Sequence, residues 1–291
     1  MSNFIDLLIA GLATGSIYAL VAIGFTLLWQ TSQTINFAQG EFVMLPAFLM
    51  LAVMGVGAPF WVAIIVGALL SIVILGFAFK LLLVDPMLRH GVLPLAIATM
   101  ALSVAMKESV KQFFSAEAQP FPSIAPSGSV SIFGSSISLQ SLGVFVFGVV
   151  AVIALNLFLE RTSTGRQMQA AAQNPTVAKI VGIPVERMIL LTFVINAGLV
   201  VLASLLVTPI YLAKFSSGET LGQAAFIAAI VGGFNQVRGA IVGGLAIGVL
   251  DNLSAAYVST QYRAATPLVL LIVIILFRPE GLVGRAEERT V

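Results

Sequence analysis

Apolar runs close to the length of a membrane crossing recur along almost the whole chain, and they restrict its fold more than any other feature. They fill 4–29, 59–83, 93–114, 139–159, 188–208, 239–258 and 264–277, with shorter apolar pieces at 42–54 and 221–234. A bilayer core asks for about 20 apolar residues per helix, and only helices or closed barrels satisfy every backbone group inside it. The runs are continuously apolar instead of alternating at every second residue, which excludes a transmembrane β-barrel. Composition agrees: 59% of residues are hydrophobic and 9% charged, with a mean hydropathy of +1.08, where a soluble domain carries roughly 25% charged residues. The expectation is an all-α, polytopic membrane helix bundle forming one domain over 1–291. It should hold about eight or nine transmembrane helices, some broken or re-entrant.

A net charge of +2 in such a chain sets topology and says nothing of nucleic acid. The absence of cysteine removes disulfides, thiolate metal sites and cysteine nucleophiles. The first 30 residues have no basic leader or small-residue cleavage site, so their apolar run is expected to stay as a span.

The polar interruptions carry the rest. The stretch 161–187 is the longest that is net basic. Placing it in the cytoplasm, with strict alternation, puts Lys80, Arg89, Arg238, its own four bases and three of the tail on the same side. Ten of the fourteen basic residues are then inside, and Lys107, Lys111, Lys214 and Arg263 are outside, as the positive-inside rule asks. The C-terminal tail, 278–291, is then cytoplasmic, and the loop 115–138, rich in Ser, Pro and Gly, is outside with a small β-ribbon.

Within 161–187, Ser163 or Thr164 is suited to cap a short helix through Met168, Ala171 and Ala172. Asn174 is suited to cap a second, with Pro175 at its first position and Gly182 at its end. Val177, Ile180 and Val181 share one face of that second helix. Two short helices at an angle make a compact knob for a partner's groove, or an amphipathic loop lying on the headgroups.

Further polar residues fall at Asn36, Gln39 and Glu41, with Gly40 permitting an unusual backbone turn, and at Gly232, Gly233, Asn235, Gln236 and Arg238. Each break reads either as pathway or gate lining, or as a tight turn with ordinary glycine packing. Gly11 and Gly15 form a G-x-x-x-G face for close helix approach. Asn196 is a lone amide in an apolar run and reads as an interhelical hydrogen bond. Asp251 is a candidate by default as an acid within a span, or is merely solvated if it lies at the interface.

Four stretches together resemble one family. GRQMQAAAQNPTVAKIVGI is similar to the cytoplasmic coupling loop of the permeases of branched-chain amino acid importers of the ATP-binding-cassette type. TINFAQGEF, AAIVGGFNQVRGAIVGGLAIGVL and FRPEGLVG resemble that family's first polar signature, its glycine-rich penultimate region and its terminal motif, in the family's order. The resemblance implies the type II-like importer permease fold. It makes Gly165, Arg166, Met168, Ala171, Ala172, Asn174, Pro175, Ala178, Lys179 and Gly182 the loop that contacts an ATPase. Pathway or gate roles fall to Asn36, Gln39, Gly40, Glu41, Asn196, Gly232, Gly233 and Asn235. It further implies a related second permease subunit, two cytoplasmic ATP-binding subunits, a periplasmic substrate-binding protein and a place in the bacterial inner membrane.

No G-x-x-x-x-G-K-[S/T] phosphate loop is present, so ATP and magnesium are expected in the partner subunits, with no cofactor or metal on this chain. Relatives in the same superfamily serve urea, amides or sugars. An ion-coupled carrier would leave a docking loop without a task. An intramembrane enzyme would need a nucleophile–base pair or metal cluster that one histidine and no cysteine do not supply.

Overall fold

A computed structural model of the chain describes residues 2–114, 116–124, 128–132, 135–263 and 265–284. The loop expected at 115–138 is thus described in part, and residues 285–291 of the tail lie outside. In chain order the elements are α1 (Ser2–Ser32), α2 (Gln39–Gly55), α3 (Phe60–Ile72), a π-helical stretch (Val73–Val84), α4 (Asp85–Leu88) and α5 (Val92–Phe114). A two-stranded hairpin follows, β1 (Ser129–Ile132) and β2 (Ser135–Ser138), antiparallel with Ser129 opposite Ser138. Then come α6 (Leu139–Arg161), α7 (Ser163–Gln173), α8 (Pro175–Ile180), α9 (Val185–Tyr211), α10 (Ser217–Gly232), α11 (Val237–Tyr257) and α12 (Ala265–Phe277).

Six helices among the described residues are long and apolar enough to cross a membrane: Phe4–Ser32, Phe60–Leu88, Val92–Phe114, Leu139–Arg161, Val185–Tyr211 and Val237–Tyr257. Two shorter apolar helices, Gln39–Gly55 and Ala265–Phe277, accompany them. The crossing Phe60–Leu88 runs through α3, the π-helical stretch and α4. Inside it Gly76 lets α9 approach so closely that an added Cβ would stand 3.1 Å from the Val194 Cα. Side chains such as Trp61, Leu69, Leu82 and Phe277 are left exposed, as suits a lipid-facing surface.

The chain divides into two compact units, with α1, α6 and α10 contributing residues to both. In the first (Met1–Thr26, Ser123–Val150, Gln223–Val291), small residues make the seams. Gly11 and Gly15 of α1 face α11: a Cβ at Gly15 would lie 2.8 Å from the Leu245 Cα, and one at Gly248 only 2.2 Å from the Gly15 Cα. The expected G-x-x-x-G face is therefore used, and its counterpart is Gly244 and Gly248. Where no hydrophobic force drives helices together, such backbone proximity supplies the packing contacts.

In the second unit (Leu27–Pro122, Ala151–Gly222), α2, α3, the π-helical stretch and α9 pack together. Phe42, Phe79 and Phe193 form its aromatic centre, with ring centroids 4.8 and 5.9 Å apart in succession. Gln119 and Ala213 exchange two backbone hydrogen bonds of 2.9 Å, tying the segment after α5 to the one after α9.

Candidate functional site

The first polar break is shorter than the sequence suggests. α1 continues to Ser32 and α2 begins at Gln39, so the irregular backbone spans 33–38. Gly40 is helical. The expected unusual turn falls instead at Gln33, whose φ of 52° is left-handed. What Gly40 provides is room: a Cβ there would sit 2.1 Å from the Gly218 carbonyl oxygen, and a Cβ on Gly218 or Gly222 of α10 would come within 2.9 or 2.8 Å of backbone at 40–41. The glycine permits contact between two backbones, because any side chain would force them apart.

Three amides build the break. The Gln39 amide donates to the Asn196 side-chain oxygen at 2.7 Å, and the Asn196 amide donates back to Gln39 Oε1 at 3.1 Å. Asn36 donates to the same Gln39 oxygen at 3.3 Å and accepts from the Ala38 N–H at 3.0 Å, which turns the chain into α2. Asn36 is 4% exposed, and Gln39 and Asn196 are fully buried. Asn196 is thus the interhelical hydrogen bond that its sequence setting suggests. Buried polar groups need such partners, since water is absent to replace them.

Glu41 is buried in the first turn of α2 and accepts from the Ser103 hydroxyl of α5, within electrostatic reach of Lys107 and Glu219. Lys107 lies one helical turn beyond Ser103 and pairs with Glu219 of α10 at 2.7 Å. Sequence reading left Ser103 and Glu219 aside and placed Lys107 at the outer interface. The i, i+4 spacing of Ser103 and Lys107 was the available signal.

The loop after α6 folds into two short helices. The cap of α7 is Thr162, one residue before the expected pair: its hydroxyl accepts from the Gly165 N–H at 2.9 Å and donates to the Phe158 carbonyl at 2.7 Å. Gly165 sits so close to α6 that a Cβ would be 2.2 Å from the Phe158 oxygen. Asn174 caps α8 as expected, accepting from the Thr176 and Val177 N–H groups at 3.1 and 3.0 Å, with Pro175 at the first position. Gly182 ends it at φ 85°, where Ile183 donates to Ala178 and Gly182 to Lys179, a glycine-dependent helix stop.

Met168, Ala171 and Ala178 are buried, and α7 and α8 pack against α9. Ala172 is half-buried, and Arg166, Asn174, Pro175, Lys179 and Gly182 are exposed. Val177, Ile180 and Val181 are 52, 79 and 68% exposed, an apolar face pointing away from the chain.

In the first unit, the turn between α10 and α11 is held by glycines and by the chain end. A Cβ on Gly232 would meet the Gly239 oxygen at 1.8 Å. Leu282 and Val283 donate their N–H groups to the Val231 and Gly232 carbonyls at 2.8 and 3.1 Å. Gly233 and Gly281, at φ 116° and 83°, interlock there. The segment 278–284, expected as part of a charged tail, thus closes the C-terminus of α10 by taking up carbonyls the helix leaves open. Asn235 is exposed in that turn. Asp251 is not solvated: Arg263 holds it at 2.7 and 2.6 Å, and Tyr18 donates to it at 3.1 Å.

With this geometry in view, the model of a family described as branched-chain amino acid transport system, permease component, matches residues 7–277. The chain belongs to this family. As a permease it is 30% identical to the high-affinity branched-chain amino acid transport system permease protein LivH of Salmonella typhimurium, over 99% of this chain and 98% of that one. It is 31% identical to the corresponding protein BraD of Pseudomonas aeruginosa, over 99% and 98%. Its fold is shared with the solved structure of PsaBC from Streptococcus pneumoniae in complex with Fab, at a TM-score of 0.53 and 13% identity, over 94% and 91% of the chains. The permease is a multi-pass membrane protein and a transport subunit.

Proposed function

We propose that this permease carries branched-chain amino acids across the bacterial inner membrane as the membrane subunit of an ATP-driven importer, with its C-terminus in the cytoplasm. The observation that carries the reading is the α7–α8 knob: a capped, rigid pair of helices with an exposed apolar face and the bases Arg166 and Lys179. A face of that kind fits a groove on a cytoplasmic ATP-binding subunit, and a helix laid in a groove is a common recognition mode. Full-length likeness to proteins named for branched-chain amino acid transport supports the substrate class.

Force applied at the knob has a direct route inward. α7 and α8 pack on α9, and α9 carries Asn196, which is bonded to Gln39 at the break. Rocking α9 therefore carries Asn36, Gln39, Gly40 and Glu41 with it, and these residues form the frame of the gate. Gly232, Gly233 and Asn235 belong to the corresponding turn of the first unit. The partners are a related permease subunit, two ATP-binding subunits and a periplasmic substrate-binding protein. ATP and magnesium reside in the ATP-binding subunits, and this chain holds no cofactor.

Co-purification tests the reading. Wild type is expected to retain its ATP-binding subunits, and the double variant Arg166→Glu, Lys179→Glu to lose them. Equal retention by the two would remove the knob from the coupling role. Absence of any ATP-dependent leucine uptake by the reconstituted complex would remove the substrate assignment.

A further inference from the structure

The amides of Asn36 and Gln39 at the first break are turned inward and bonded to one another and to Asn196, and other residues of the break face outward. Phe37 and Gln33 are exposed, Phe37 to 39%. The depth of Phe37 follows from its neighbours. Its N–H donates to the Thr99 hydroxyl at 3.2 Å. At 1.5 Å per residue, Thr99 lies about 10 Å from the Val92 end of α5 and about 22 Å from the other. Asn196, bonded to the same break, lies about 16 Å and about 22 Å from the ends of α9. Both helices are long enough to cross, so the break lies at membrane depth.

Irregular backbone at that depth is not tolerated against lipid, because its N–H and C=O groups would go unsatisfied. The exposed side of 33–38 must therefore face protein or a water-filled space. We propose that Phe37 lines the translocation passage, as an aromatic wall against which the apolar side chain of the substrate slides. This rests on the permease reading above. Asn36, Gln39 and Asn196 then act from behind, holding Phe37 at the surface of the passage, while α2 resumes immediately after it.

The chain has no cysteine, so a single introduced thiol reports without background. Phe37→Cys, in the assembled complex in lipid nanodiscs, is expected to react with a charged methanethiosulfonate at least ten times faster than Leu82→Cys. Leu82 is 78% exposed and lies about 9 Å in from the Leu88 end of its crossing, which a short turn joins to Val92, so it is close to the depth of Thr99. Gln33→Cys on the same break serves if Phe37→Cys fails to assemble, and is expected to react as fast. Reaction no faster than Leu82→Cys means that lipid or a partner chain covers this face, and overturns the proposal. Labelling is read without transport, so a complex that takes up no leucine removes the substrate assignment and leaves this test standing. Where wild type does transport, Phe37→Ala is expected to lower uptake about tenfold at unchanged assembly, and unchanged uptake overturns the role.

Discussion

Two of the polar stretches that interrupt this apolar chain, 33–41 and 162–182, are treated in opposite ways. In the first, the amides of Asn36, Gln39 and Asn196 bond to one another in the interior, and a glycine brings two backbones together. In the second, side chains of Thr162 and Asn174 bond only to their own local backbone, and the apolar residues of α8 are left exposed. The physical difference is the solvent. At membrane depth a polar group must find a distant protein partner, which ties elements together. Where the chain lies open, as the exposed residues of 162–182 do, local caps suffice and the segment can offer a surface. One stretch is a joint and the other, on the function proposed above, is a handle.

The largest effect is expected where the joint has no space. Gly40→Val places side-chain atoms where the Gly218 backbone stands and should destabilise the protein by about 3 kcal/mol, since overpacking costs ~1–3 kcal/mol or more. Gly182→Ala in the handle meets nothing within 4 Å and strains only a left-handed φ, at a cost of about 1 kcal/mol. Thermal unfolding in nanodiscs compares the two, and equal losses would erase the distinction.

Next comes Asn196→Leu, which orphans the Gln39 amide and should cost about 2 kcal/mol. Combining it with Gln39→Leu should recover only part of that loss, because the orphaned Gln39 amide is gone but the Asn36 amide then loses its acceptor. A double-mutant cycle showing simple additivity would mean the two amides act independently. Asn174→Ala removes a cap whose bonds are local and should cost about 1 kcal/mol, with no coupling to Asn196. Smallest in stability is Ile180→Ser, within about 0.5 kcal/mol on an exposed site. The same substitution is expected to weaken retention of the ATP-binding subunits, and unaffected retention would detach the apolar face of α8 from docking.

Much of the handle was legible in advance. Asn174, Pro175 and Gly182 act through the residues next to them, so a local pattern suffices. The cap falls at Thr162, whose hydroxyl bonds both the Gly165 N–H and the Phe158 carbonyl of α6, so the end of α6 shares in placing it. The joint was legible only as a set of polar residues in the wrong solvent. Asn36, Gln39, Glu41 and Asn196 stood out by composition, yet their partners lie on α9 and α5, far along the chain. Gly40 was read through backbone freedom, whereas its neighbour across the gap on α10 decides its role. Phe37 drew no notice, since an aromatic in an apolar chain is ordinary until its exposure at a backbone break is known.

The residues alone determined the solvent of this protein, its helical class, the knob after α6 and, through four short motifs, its family. Those follow from transfer free energy and local backbone bonding, which act within a few turns of chain. The tertiary structure decided which polar groups pair, which glycines touch and which side chain of the break is left facing outward. These depend on distances between segments far apart in the chain, such as the 233 residues between Tyr18 and Asp251, and sequence order carries no direct measure of them.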